Sequence, residues 1–207
     1  VLATIDWRRR DLNPEAKNLI VVDAATGERI TNVCRFTIDR ERGEVVFQPQ
    51  TVPGEYYIYY LKNVMSGSPY YPTVNYPAFE NTASADWVKK NKLSGKKAPS
   101  LPAARIVQFQ AIDQLNSFYP MEVIATADET ARLLKKHPSE NYILFTEDRK
   151  YPIRMTTDIP YKWIADDRHD TFTGEADKGE YYVFQLGVWA ARTDVENLHV
   201  DFSVLSN

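Results

Sequence analysis

The sequence is short of several things, and each shortage excludes something. It has one cysteine, Cys34, so no internal disulfide can staple it. Cys34 sits in a strand-like stretch and reads as a small buried hydrophobe rather than a reactive thiol. No apolar run approaches the roughly 20 residues a membrane helix needs. Lys and Arg number 25 against 28 Asp and Glu, a net charge of −3, so there is no basic footprint for nucleic acid. Arg8-Arg9-Arg10 is too short and isolated to change that. The three histidines, His137, His169 and His199, lie far apart and match no zinc spacing. No Gly-x-Ser-x-Gly elbow, P-loop or dinucleotide fingerprint occurs. The chain opens on Val1 without a signal-peptide pattern, and reads as a processed product, an excised fragment or part of something longer.

What is present favours strands. Thirteen tyrosines and twelve prolines stand against eight glycines. Tyrosine suits a pleated, half-buried surface, and proline punctuates strand-rich folds. "NLIVVDAATGERITNV" places two apolar runs around Ala25-Thr26-Gly27, a hairpin signal. "RFTIDRERGEVVFQP" is a second hairpin, turning at Arg40 to Gly43. "VPGEYYIYYLK" adds a strand over Glu55 to Leu61, so the first third reads as a β-meander. Residues 65–102, rich in proline, read as a long ordered strap with one short helix at Ser84 to Lys92. "ARIVQFQAI" returns to strand. "TADETARLLKKHP" is a helix with a Thr126–Glu129 capping box, Ala127, Ala131 and Leu134 on one face, and Pro138 as its stop. "NYILFTED" and "YPIRM" are expected to pair through Asp148-Arg149.

In "EYYVFQLGVWA", Tyr182, Phe184, Leu186, Val188 and Ala190 form a wholly apolar face. "ENLHVDFSVL" alternates, with Leu198, Val200, Phe202 and Val204 expected inward. Strands with one buried face fit a two-layer antiparallel β-sandwich. The fold class is therefore all-β: one sandwich domain over residues 1–207, with a long proline-rich loop and one or two short helices. Gly-Glu-Tyr-Tyr occurs twice, at Gly54 and Gly179, but the echo is too short for a repeat architecture. Alternation sends adjacent tyrosines to opposite faces, so neither pair makes one flat platform.

Two groups of residues invite a functional reading. The strap carries Tyr70, Tyr71, Tyr76 and Phe79, and Trp163 follows "DIPYK". Exposed rings stack on the apolar faces of sugars and lose little entropy on binding. The same rings equally pin a loop to its domain or meet a neighbouring domain. The loop around "RHDTFTG" holds Asp166, Asp167, Asp170, Glu175 and Asp177. Such a loop is a calcium candidate, since calcium takes about 6–8 oxygen ligands. The spacing matches no EF-hand, and a merely solvated acidic loop reads as well. No other cofactor is suggested.

Four stretches together carry a family resemblance: "IDWRRRDLNPEAKNLIVVDAATGERITNV", "PGEYYIYYL", "RIVQFQAIDQLNSFYPMEVIAT" and "GEYYVFQLGVWAARTDVENLHVDFS". They resemble the N-terminal region of large secreted bacterial glycoside hydrolase-like proteins, similar to glycoside hydrolase family 123 and its relatives. The resemblance implies a β-sandwich ahead of a (β/α)₈ barrel that holds the catalytic acids. It implies a barrel in the same polypeptide as partner, a glycan as a further one, and a secreted, periplasmic or outer-surface location. No catalytic motif of that family lies in this sequence, so no catalytic residue transfers and the chain by itself is expected not to be an enzyme. The alternatives are an autonomous carbohydrate-binding module, or a cell-surface structural or adhesion sandwich.

Overall fold

The computed structural model describes residues 1–60, 62–110, 119–166 and 171–203. The chain forms two compact units, Val1–Gln110 and Ala111–Asn207. Over the described residues strands outweigh helices, as the all-β reading expects, although the second unit sets two α-helices beside a single antiparallel pair.

In the first unit, β1 (Leu2–Asp6) alternates: Ala3 and Ile5 are buried, Thr4 and Asp6 exposed. It lies between β4 (Arg42–Phe47), antiparallel, and the short β8 (Ala103–Ala104), parallel. β3 (Val33–Ile38) pairs with β4 to complete the order β3-β4-β1-β8. The turn between β3 and β4 is set by Asp39, whose Oδ1 accepts from the N–H of Glu41 (2.8 Å) and of Arg42 (2.6 Å). An aspartate that mimics a backbone acceptor makes this tight turn local and legible.

A second sheet pairs β2 (Leu19–Asp23) with β5 (Tyr56–Tyr60), Leu19 opposite Tyr60 and Asp23 opposite Tyr56. Both sheets bury side chains in one core. Ala3, Ile5, Val33, Val45 and Phe47 come from the first, and Leu19, Val21 and Tyr60 from the second. Trp7, just past β1, stacks on Tyr60 with ring centroids 4.3 Å apart and donates through Nε1 to the Asp39 carbonyl at 2.7 Å. Gly43 makes room for it: a Cβ there would fall 2.4 Å from the indole.

The meander expected from sequence order is realised only by β3–β4. β4 returns to β1, and β5 crosses to β2. Short turns enforce neighbour pairing, and residues 48–55, between β4 and β5, are too many to enforce it. In the hairpin read at Ala25-Thr26-Gly27, Gly27 has φ +74° and donates to the Asp23 carbonyl, but the return is a single bridge, Val22 with Arg29.

The strap is not loop throughout. It opens with a hairpin, β6 (Val64–Ser68) with β7 (Tyr71–Asn75). Pro72 is accommodated because the hairpin has only two strands, both of them edges. Residues 76–83 are tied down: Asn18 donates to the Pro77 carbonyl (2.9 Å), Thr82 to the Thr31 carbonyl (2.6 Å), and Arg29 pairs with Glu80. α1 (Ala85–Lys90) follows, capped by Ser84. Beyond β8, Val107 and Phe109 are exposed, and Ala111 lies outside the described residues.

In the second unit, α2 (Ala127–Lys136) starts at the expected capping box: Thr126 Oγ1 accepts from Glu129 N–H, and the Glu129 carboxylate from Thr126 N–H. Its buried residue is Leu133, whereas Ala127 and Ala131 face water. The larger Leu133 outweighs two alanines in choosing the face. β9 (Tyr142–Asp148) pairs with β10 (Phe184–Ala190), not with the "YPIRM" segment. The Gln185 side chain accepts the Ile153 N–H (2.8 Å), where that pairing would have needed a strand. α3 (Tyr161–Asp166) delivers Trp163 to a core of Met121, Leu133, Ile143, Phe145 and Ile159.

The face of β10 that packs on this core is Gln185, Gly187 and Trp189. Phe184 and Leu186, on the wholly apolar face, are exposed. Gly187 decides the matter, because a Cβ there would fall 2.5 Å from the Trp163 ring. The "ENLHVDFS" segment forms no strand among the described residues, and Leu198, Val200 and Phe202 are exposed. Alternation specifies a face but supplies no hydrogen-bonding neighbour. Val204 lies outside the described residues.

Candidate functional site

The first Gly-Glu-Tyr-Tyr segment builds a surface. Tyr56 points toward the core side, its ring 5.0 Å from Phe47 and its hydroxyl donating to the Thr51 carbonyl at 2.7 Å. Asp23 anchors the same corner. Fully buried, it accepts from Ala25 N–H (2.9 Å) and Thr51 N–H (3.2 Å), and the bonds from Thr51 hold its carboxyl below the usual carboxylate range.

Tyr57 and Tyr59 point the other way, 53% and 39% exposed, with ring centroids 6.3 Å apart and planes tilted by 57°. Their cross-strand neighbours are the half-buried Val22 and Ile20. Ala24 N–H donates to the Glu55 carbonyl at 3.0 Å, so the ladder continues one residue beyond β5. The exposed Glu55 therefore shares the outward row with Tyr57, about 7 Å along the strand. The sequence reading split Tyr56 from Tyr57 correctly but passed over this Tyr-x-Tyr. Period-2 alternation, which separates adjacent residues, also joins residues two apart.

The strap aromatics divide. Tyr70 and Tyr71, at the tip of the β6–β7 hairpin, are 87% and 84% exposed. Tyr76 packs against the first core with Lys17 Nζ 4.4 Å from its ring centre. Phe79 lies under the Arg35 guanidinium at 3.6 Å. Trp163 is a core residue of the second unit, stacked on Phe145 at 4.4 Å. Its Nε1 donates to Glu147 at 3.2 Å. So placed, it offers no ring face at the surface.

Around the second Gly-Glu-Tyr-Tyr, a cavity of about 500 Å³ is lined by Asp148, Arg149, Lys150, Thr173, Gly174, Glu175 and Tyr182. The Tyr182 hydroxyl donates to Asp148, and Lys150 N–H donates to the same carboxylate at 2.9 Å. These bonds hold the Asp148 carboxyl down and push the Tyr182 phenol up. Arg149 pairs with Glu180 and covers the Tyr182 ring at 4.6 Å. Glu180 is held low, first by the Asp177 N–H and then by Arg149. A carboxylate made a weaker base beside a phenol made a weaker acid is the reverse of a pair tuned for proton transfer near neutrality. Glu147 and Asp148, adjacent in β9, project to opposite faces. Glu147 is buried against Trp163 and Lys162 Nζ (2.9 Å).

The acidic loop is only partly placed. Asp166 pairs with Lys162 at 2.7 Å, Glu175 lines the cavity, and the Asp177 N–H donates to Glu180. Asp167 and Asp170 lie outside the described residues. Among the described residues, no three His, Cys, Asp or Glu side chains converge as metal ligands. Cys34 is half-buried on β3, and burial pushes its thiol up. Among the described residues, no helix is long and apolar enough to cross a membrane.

No curated protein and no solved structure matches the chain. A family does match, the one described as "Glycoside hydrolase 123, N-terminal domain", over residues 1–112. Those bounds nearly coincide with the first compact unit, Val1–Gln110, which carries the β2–β5 sheet and its outward tyrosines. The match covers more than half of the 207 residues, and the chain belongs to the N-terminal domain family of glycoside hydrolase 123.

Proposed function

We propose that this chain is a non-catalytic accessory region of a glycoside hydrolase, supporting a catalytic barrel in the same polypeptide during glycan breakdown outside the cell. The observation that carries the reading is the family match over the first unit. The chemistry of the cavity agrees with it: its carboxylate–phenol pair, Asp148 with Tyr182, is shifted away from acid–base work. Buried or turn carboxylates have structural partners: Asp23 and Asp39 hold turns, and Glu147 seats Trp163 and Lys162.

A supporting domain stabilises what it accompanies. Removing residues 1–110 from the parent hydrolase should lower the melting temperature and soluble yield of its catalytic domain, without altering the catalytic residues. A catalytic domain equally stable and equally soluble without them would overturn the supporting role.

A further inference from the structure

We propose that the outward face of the β2–β5 sheet, Tyr57 and Tyr59 flanked by Glu55, binds a neutral pyranose saccharide. The inference rests on the accessory reading above and gives it a ligand. Strand alternation puts the three side chains in one row, and the two rings remain 53% and 39% exposed. Ile20 and Val22 lie opposite as an apolar floor. Tyrosine offers an amphipathic ring with only two side-chain torsions, so holding it against a ligand costs little entropy. The rings sit on a paired strand whose other face is core, so the platform is rigid.

Size and charge select the occupant. The outward positions of this two-stranded sheet amount to four apolar or aromatic side chains. A stable protein interface takes about 800 Å² and some 20–30 residues per partner. The patch is too small for a second protein and matches one or two sugar rings. The tilted rings, 6.3 Å apart, suit consecutive sugars of a chain rather than a single flat ligand. Glu55 at the end of the row accepts hydroxyl hydrogens and disfavours anionic glycans. The second Gly-Glu-Tyr-Tyr cannot do the same, because Glu180 is tied to Arg149 and Tyr182 to Asp148.

The test is binding of the full chain to an array of neutral and anionic oligosaccharides, followed by titration of the best neutral probe. The expected result is neutral binding that weakens at least about tenfold in Tyr57→Ala and in Tyr59→Ala. Tyr57→Phe should stay close to wild type, Glu55→Gln should fall between, and Tyr70→Ala should match wild type. Amide spectra with intact β2 and β5 signals show that the variants fold. Three results each overturn the proposal: no neutral oligosaccharide bound, binding indifferent to both alanine variants, or a wild-type dimer that Tyr57→Ala converts to monomer. Glycoside turnover by the chain would instead overturn the non-catalytic reading, whatever the array shows.

Discussion

Each unit closes its core over one tryptophan, and the two closures differ in one respect. Trp7 stacks on Tyr60 at 4.3 Å and Trp163 on Phe145 at 4.4 Å. Each indole presses against a strand glycine, Gly43 or Gly187. But Trp7 donates to a backbone carbonyl, that of Asp39, whereas Trp163 donates to the carboxylate of buried Glu147, which in turn needs Lys162. In the first unit the indole's own acceptor is a neutral carbonyl already required by a turn, with the Arg9 guanidinium over the Tyr60 ring and Asp11 accepting its hydroxyl. The second seals with a buried charge that must be matched. Among the described residues its hydrophobic core is also smaller, and Phe184 and Leu186 on its apolar strand face are left in solvent.

Trp7→Ala and Trp163→Ala should each cost about 3–5 kcal/mol, the range for emptying a buried aromatic site. Denaturant unfolding measures the cost, and amide exchange in β1 and β4, or in β9 and β10, assigns it to a unit. A cost under about 1 kcal/mol for either would mean that its indole does not close the core. Next comes Glu147→Ala, which strands the Trp163 N–H and leaves the Lys162 ammonium with Asp166 alone. It should cost about 1–3 kcal/mol, with Glu147→Gln milder because it still accepts from the indole. Gly43→Ala and Gly187→Ala should cost about 1–3 kcal/mol each through overpacking. If Gly187→Ala were neutral, glycine would not be what chooses the buried face of β10.

Acid comes next. Asp23 in the first unit, and Asp148 and Glu180 in the second, are held below their ordinary carboxylate values. A depressed folded value means stabilisation that is present above the unfolded value and lost as pH falls through the folded one. Both units should therefore weaken below about pH 4. Tyr182→Phe removes the largest cause of the Asp148 shift and should flatten part of the second unit's acid dependence. An unchanged pH–stability curve would contradict that. The smallest effect is Tyr57→Ala on stability, under about 0.5 kcal/mol for a surface site. A large loss there would mean the outward face carries packing rather than a ligand.

Much of this was legible wherever the determinant is local. Asp39 fixes its turn, Thr126 and Glu129 cap α2, and Ser84 caps α1, each within three residues. What escaped depends on partners distant in sequence. β4 with β1 and β5 with β2 could not be told from a meander, because alternation looks the same in either sheet. The buried face of β10 was misjudged because hydrophobicity favoured Phe184 and Leu186, while a 2.5 Å approach to an indole on another element demanded glycine. The strap's prolines hid a hairpin whose strands tolerate proline because both are edges. Of the aromatics singled out for binding, Tyr70 and Tyr71 are open, Tyr76 and Phe79 lie under cations, and Trp163 is core. Tyr57 and Tyr59 were within reach of the alternation rule but overshadowed by the doubled tyrosine next to them.

Under the proposed accessory role, this chain serves glycoside hydrolysis without performing it. The most direct test is fluorogenic glycoside release by the purified chain, across a panel of sugars and from about pH 4 to 8. Release indistinguishable from buffer alone is predicted. Turnover above buffer that disappears in Asp148→Asn or Glu175→Gln would contradict the claim and relocate catalysis to the cavity of the second unit.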